Sequence, residues 1–175
     1  SNLLPDTEPA TDETYTLDNS SFSATIVRQS PITQFVNTTS IIFRITFSED
    51  VANVDVTDFT TTLGTVNLVT QNTASEYDVT IIGISGDGLI DLDFSGVQNI
   101  EDLTTNPFLG TIGVEETYTS DQTDPTVVLS SAEPDPTGAP SFILDVVFSE
   151  PVTGLLDGDF IVVNGLVSGL TGTGD

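Results

Sequence analysis

Acidic side chains dominate the chemistry that this sequence offers. Its 175 residues include 27 aspartates and glutamates but only two basic side chains, Arg28 and Arg44, so the formal net charge is −25. Carboxylate oxygens are the hard ligands that calcium prefers. The sequence contains no histidine or cysteine that would favour a softer metal. A calcium site built from acidic loop residues is therefore the first chemistry to consider.

The missing residue types exclude several classes of function. Without histidine there is no Ser-His-Asp machinery, and without lysine there is neither a Schiff base nor a Lys-Asn isopeptide crosslink. The absence of cysteine excludes disulfides and iron–sulfur clusters. Asp91 and Asp93 are two residues apart on one predicted strand face, where solvent exposure explains them better than glycoside hydrolysis. With these residue types missing, we expect a non-enzymatic protein. Because the charge repels phosphates and anionic lipids, we expect it to bind no nucleic acid, and because no apolar run approaches about 18 residues, we expect no membrane insertion.

Alternation of apolar and polar residues predicts an all-β protein. Every second residue between Ile41 and Phe47 is apolar, which predicts a strand with one buried face. Six further segments have strand character: 24–28, 58–62, 66–70, 77–81, 90–94 and 111–117. Seven short strands separated by turn residues predict an antiparallel β-sandwich of about 100 residues. The phenylalanines expected in its core are Phe43, Phe47, Phe59 and Phe94.

An internal repeat of about 101 residues divides the chain. Residues 46–66 align without gaps to residues 147–167, with eight identities in 21 columns. At an offset of 103, the sequence of residues 13–16 recurs at residues 116–119. We therefore expect residues 1–17 to be the tail of a preceding repeat or a linker. Residues 18–120 form a complete sandwich in this interpretation, and residues 121–175 form the first half of a second, truncated repeat.

The second repeat is predicted to contain only three or four strands. An apolar sheet face without an opposing sheet is not expected to be stable alone. We expect this half to be completed by a partner chain, through a homo-oligomer or through strand swapping. Neighbouring repeats of the same chain are the other expected partners.

Three segments resemble bacterial immunoglobulin-like repeats of large surface proteins. They are residues 47–59, the matching residues 148–165, and the Asp/Thr/Pro-rich linker at residues 121–126. Residues 102–107 are similar to a turn that carries Asp…Gly-Asn-Pro in this family, with Thr105 in the place of the glycine. The resemblance implies an immunoglobulin-like β-sandwich in a repetitive, secreted or cell-surface adhesin of a bacterium.

The topology of such a sandwich indicates which carboxylates would meet. The chain enters at one pole, and the loops after the second and sixth strands return to that pole. The acids expected at the N-terminal pole of the complete unit are Asp18, Glu49, Asp50 and Asp102. The acids expected at the junction between the units are Asp87, Asp121, Asp124 and Glu150. Calcium at either place would neutralise like charges and stiffen a joint, but solvated loop residues of an acidic extracellular protein would show the same pattern.

Two functions from different classes follow from these features. The module is either a spacer that extends a distal binding domain, with calcium at its joints, or a binding module that recognises a carbohydrate or protein through its pole loops. Sugar platforms usually depend on exposed aromatic side chains, and the sequence contains no tryptophan and three tyrosines, Tyr15, Tyr77 and Tyr118. One of the tyrosines is expected to point inward. Asp58 and Asp159 precede core phenylalanines and are predicted to form turns or to accept cross-strand hydrogen bonds.

Overall fold

The computed structural model describes residues 13–172, which fall into two compact units. The first unit ends at Gln122 and the second begins at Thr123. Residues 1–12 of the predicted N-terminal tail, and residues 173–175, lie outside the described residues. Within residues 13–172 the regular structure consists of fourteen strands and two short 3-10 helices, with no α-helix. The protein is therefore all-β over this range, and no helix in it is long and apolar enough to cross a membrane.

The first unit is built from twelve strands around one buried core. In chain order they are β1 (Ala24–Ser30), β2 (Phe35–Val36), β3 (Ser40–Phe47), β4 (Val51–Ala52), β5 (Phe59–Thr61), β6 (Thr65–Gln71), β7 (Glu76–Ile82), β8 (Gly88–Ile90), β9 (Leu92–Phe94), β10 (Glu101–Asp102), β11 (Ile112–Glu115) and β12 (Tyr118–Ser120). A 3-10 helix, Val56–Asp58, precedes β5. All seven predicted strand segments overlap strands of this unit.

Two larger sheets and two short strand pairs make up the first unit. Five strands form one sheet in the order β11-β1-β3-β7-β6, and three form another in the order β2-β12-β8. The short pairs are β10-β4 and β5-β9. Strand β3 lies antiparallel to β1 and β7, but β1 pairs with β11 and β2 pairs with β12 in parallel. The sheets are therefore mixed, and the prediction of a wholly antiparallel arrangement is wrong for these two pairs.

The core follows the alternation that the sequence predicts. On β3 the side chains of Ile41, Phe43, Ile45 and Phe47 are at most 3% exposed. Tyr77, Val79 and Ile81 on the neighbouring β7 are also buried. Phe59 is buried as well, whereas Phe94 is only partly buried and packs against the core. Burial of these apolar faces supplies the main driving force for folding.

One of the predicted strands, residues 90–94, is divided in the structure. Strand β8 ends at Ile90 and pairs with β12, whereas β9 begins at Leu92 and pairs with β5. The predicted strand 111–117 corresponds to β11 alone, and β12 follows it from Tyr118 in the other sheet. The apolar alternation continues across the break at Asp91, so the alternation alone does not reveal where the chain changes sheet.

The second unit has a single two-stranded sheet among its described residues. It consists of β13 (Val127–Ser130) and β14 (Asp145–Phe148), and a 3-10 helix, Asp157–Asp159, follows. This is fewer than the three or four strands predicted. Many of its apolar side chains are exposed: Val127, Val128, Leu129, Phe142, Ile143, Val147, Ile161, Val163 and Leu166.

Candidate metal centre

Three of the four acids predicted at the N-terminal pole lie together. One carboxylate oxygen from each of Asp18, Glu49 and Asp102 is within 4.8 Å of the other two. Asp18 precedes β1, Glu49 lies between β3 and β4, and Asp102 ends β10. The pairing of β10 with β4 places Asp102 opposite Val51, two residues after Glu49. The fourth acid, Asp50, is exposed and is not a member of this group.

Asp102 is held in place by the turn that follows it. Its side chain is buried, and its Oδ1 accepts hydrogen bonds from the Thr104 amide (2.7 Å), the Thr104 hydroxyl (2.9 Å) and the Asn106 amide (2.8 Å). Its Oδ2 accepts a bond from Asn106 Nδ2 (2.7 Å). Burial raises the pKa of Asp102, but the bonds from Asn106 and Thr104 outweigh it and hold the pKa below its usual value. Asp102 is therefore a fixed anion at this pole.

The three neighbouring carboxylates repel one another, and the pKa of Glu49 responds to this repulsion. Burial, together with the charges of Asp18 and Asp102, raises the pKa of Glu49. Asn106 Nδ2 also donates to the Asp18 carbonyl oxygen (3.1 Å), which attaches the entering chain to the Asp102 turn. The positive charge of a divalent cation among the three carboxylates would relieve this repulsion. Calcium takes six to eight oxygen ligands, and water would supply those that the protein does not.

A second acidic group was not predicted from the sequence. Oxygens of Asp91, Asp93 and Glu115 also lie within 4.8 Å of one another. Oδ1 of Asp91 is buried without a hydrogen-bond partner, and burial together with the charges of Asp91 and Asp93 raises the pKa of Glu115. The prediction that both aspartates face solvent is therefore wrong for Asp91, which is half-buried. The group forms only because the connection between β8 and β9 lies near the end of β11, and no local sequence pattern encodes that proximity.

The four acids predicted at the junction belong to two different units. Asp87 and Asp121 are in the first unit, and Asp124 and Glu150 are in the second. Oδ1 of Asp87 accepts a hydrogen bond from the Gln122 amide (2.6 Å), so this carboxylate fixes the end of the first unit. A metal site shared by these four acids stays a prediction.

Two of the three tyrosines belong to the core, where one was predicted. The Tyr77 hydroxyl donates to the Val51 carbonyl oxygen (3.2 Å). The Tyr118 hydroxyl lies within hydrogen-bond distance of the carbonyl oxygens of Pro31 (2.6 Å) and Ile42 (2.9 Å), and burial raises the Tyr118 pKa to about 12. Tyr15, which is 89% exposed, is the tyrosine that remains on the surface of the described residues. These placements weaken the interpretation of the module as an aromatic sugar platform.

The fold and the acidic pole together define an all-β protein with two groups of carboxylates suited to a hard cation. A scan against protein-family models, a search of curated proteins and a search of solved structures each found no match to this chain. The function must therefore be inferred from the chain's own residues.

Proposed function

We propose that the chain is part of a tandem array of immunoglobulin-like β-sandwich modules, which act as a non-enzymatic spacer in a secreted or cell-surface bacterial adhesin. One observation supports the proposal most directly. The same pair of antiparallel strands occurs in both units, between residues that the internal repeat aligns with each other. Ala24 pairs with Phe47 in the first unit, and Val127 pairs with Phe148 in the second. The offsets are 103 for the first strand and 101 for the second, and the next three residue pairs follow the same register.

The connection at the end of each strand pair is also equivalent. The Ser48 hydroxyl oxygen accepts a bond from the Ser23 amide (3.0 Å), and the Ser48 amide donates to the Ser23 carbonyl oxygen (2.9 Å). Ser149 makes the same two bonds with Thr126, both at 2.9 Å. A serine with the same two bonds at the same strand end supports descent of both units from one module.

The two aspartates predicted to form turns provide a third match. Oδ2 of Asp58 accepts a hydrogen bond from the Asp55 amide (2.7 Å), and Oδ2 of Asp159 accepts one from the Leu156 amide (2.9 Å). Each aspartate ends a 3-10 helix, and the two are 101 residues apart. The bonds support the prediction for both residues. An array of such modules lengthens a protein without needing a ligand of its own.

We place a calcium ion at the N-terminal pole as part of this proposal. Asp18 lies where the chain enters the first unit, while Glu49 and Asp102 belong to the body of the unit. A cation that binds all three would couple the entering chain to the sandwich and limit bending at that point. The proximity of the three carboxylates supports the proposal, and the charges of Asp18 and Asp102 add to the effect of burial in raising the pKa of Glu49.

Thermal unfolding of the chain in calcium and in chelator tests the metal site. A ligand present at about 100 times its Kd adds about 2.7 kcal/mol of stability, which for a domain of about 100 residues raises Tm by roughly 10–20 °C. Glu49→Gln is expected to abolish most of this rise. Asp50→Asn is the matched control, because it removes a charge from the same loop but outside the cluster, and it is expected to retain the rise. An identical Tm with calcium and with chelator would remove calcium from the proposal.

A glycan array tests the spacer function itself. A passive spacer is expected to bind no glycan specifically, with or without calcium. A specific and reproducible hit would instead favour the binding module with its pole loops.

A further inference from the structure

We propose that the first unit is built to resist traction along the chain, and that Arg28 is the clamp that joins its first and last strands. The inference rests on the proposed spacer function, because a spacer between an anchor and a bound target is pulled from both ends. It goes further by assigning the resistance to particular bonds.

The first and last strands of the unit run side by side in the same direction. Strand β1 pairs in parallel with β11 in the five-stranded sheet, and β2 pairs in parallel with β12 in the three-stranded sheet. When the two ends of the unit are pulled apart, β1 and β2 are drawn toward their N-terminal ends and β11 and β12 toward their C-terminal ends. Parallel neighbours must then slide past each other, so their hydrogen bonds resist together. Antiparallel neighbours pulled apart at one end lose their bonds one at a time.

Backbone hydrogen bonds join these segments on both sides of the point where they change sheet. They are Ala24 amide to Thr111 carbonyl (2.9 Å), Glu116 amide to Ile26 carbonyl (2.9 Å), Thr119 amide to Gln34 carbonyl (2.9 Å) and Asp121 amide to Val36 carbonyl (3.0 Å). The series therefore begins at the start of β1 and continues past the end of β12.

Arg28 bridges the interval where both segments change sheet. Its Nη1 donates to the Thr117 carbonyl oxygen (2.9 Å), and its Nη2 donates to Glu116 Oε1 (3.3 Å). The Arg28 amide donates to the second oxygen of Glu116 (2.9 Å), while Nε donates to the Ile32 carbonyl oxygen (3.3 Å). Residues 116–117 connect β11 to β12, and Ile32 lies between β1 and β2. One side chain therefore ties both connections, and charge-assisted bonds of this kind are stronger than neutral ones.

Arg44 provides a control from within the same unit. Its Nε and Nη2 donate to the two carboxylate oxygens of Asp78 (2.8 and 3.0 Å), and its Nη1 is 3.4 Å from Glu76. These bonds join β3 to β7, an antiparallel pair in the middle of the sheet. The two arginine side chains are 20% and 28% exposed, so solvent weakens their ion pairs to a similar extent. The Arg28 bonds connect the two ends of the unit, whereas the Arg44 bonds connect two strands in the middle of the sheet.

Single-molecule force measurements on the 175-residue chain test the clamp. Because the chain lacks cysteine, Ser20→Cys and Pro125→Cys provide unique attachment points that enclose the first unit. Its unfolding releases about 350 Å of extended chain, which identifies the event. A second attachment pair, Thr65→Cys and Ile82→Cys, pulls the antiparallel strands β6 and β7 apart from opposed residues. We expect a higher force along the first axis than along the second.

The arginine variants separate the clamp from general stability. Along the axis from residue 20 to residue 125, Arg28→Met is expected to raise the unfolding rate at fixed force by about tenfold, which corresponds to about 1.4 kcal/mol. Arg44→Met is expected to lower Tm by a similar amount but to change this rate much less. If the two axes have equal strength, the clamp is contradicted, whereas the spacer function is tested separately by the glycan array. If the axes differ but the two variants do not, only the assignment to Arg28 is overturned.

Discussion

Replacement of Thr105 by glycine is expected to stabilise the first unit. Thr105 lies in the turn after Asp102 with φ at +69°, in the left-handed region that a β-branched residue rarely adopts. Its amide donates to the Asp102 carbonyl oxygen (3.1 Å), and the Asp102 amide donates to the Asn106 carbonyl oxygen (3.0 Å). Together these bonds close a three-residue loop that requires a left-handed residue at position 105. The resemblance to immunoglobulin-like repeats places a glycine at this position, and the structure has the backbone that a glycine would favour.

The magnitude follows from two opposing terms. A non-glycine residue in the left-handed conformation costs about 1–2 kcal/mol. Glycine at position 105 removes that cost but gives the unfolded chain more freedom, which costs about 0.4–1 kcal/mol. At the middle of these ranges the net gain is about 0.8 kcal/mol, and it should raise the Tm of a domain of this size by about 3–6 °C.

Calorimetric melts in chelator would measure the effect of Thr105→Gly. Thr105→Ala is expected to change Tm little, because alanine retains most of the left-handed cost. Thr104→Gly is expected to lower Tm, since it removes the hydroxyl that donates to Asp102 at 2.9 Å. A glycine variant no more stable than the alanine variant would refute the proposed strain at this turn.

Three further predictions concern the core, the duplicated turns and the acidic pole. Tyr118→Phe should lower the free energy of unfolding by about 1–3 kcal/mol, measured in urea, because it removes a buried hydroxyl that bonds to backbone oxygens. Asp58→Ala should cost about 2–3 kcal/mol, because it leaves two amides without an acceptor, whereas the exposed Asp159→Ala should cost about 1 kcal/mol or less. Because the pKa of Glu49 is raised in the folded state, ionisation of this side chain lowers the stability of the unit. In the absence of calcium, the stability of the wild type should therefore fall relative to that of Glu49→Gln as pH rises through the Glu49 pKa. Urea melts from about pH 3.5 to 7 would measure this difference, and parallel curves would contradict it.

Local patterns in the sequence predict much of the first unit. The alternation from Ile41 to Phe47 identifies the central strand and its buried face, because a strand with one solvent-facing side must alternate. The aspartate at position 58 is recognisable as a turn residue from its place before Phe59. The grouping of Asp18 with Glu49 follows once a sandwich topology is assumed, since that topology returns particular loops to the pole where the chain enters.

Features that depend on distant pairings were not predictable in the same way. The parallel pairing of β1 with β11 joins segments almost 90 residues apart and leaves no mark on either segment. The group formed by Asp91 and Glu115 depends on the same long-range arrangement. The engagement of Asp102 by its own turn also escaped prediction, because a carboxylate looks the same in sequence whether it binds a metal or four protein donors.

The pairing of the first two strands with the last two also constrains the order in which the unit can assemble. Residues 24–30 remain without their parallel partner until residues 112–115 are available. Closing so long a segment is entropically costly and slows folding. During synthesis, the unit can close only after nearly all of its hundred or so residues have emerged. The unit is therefore expected to remain an open chain until its final strands are available.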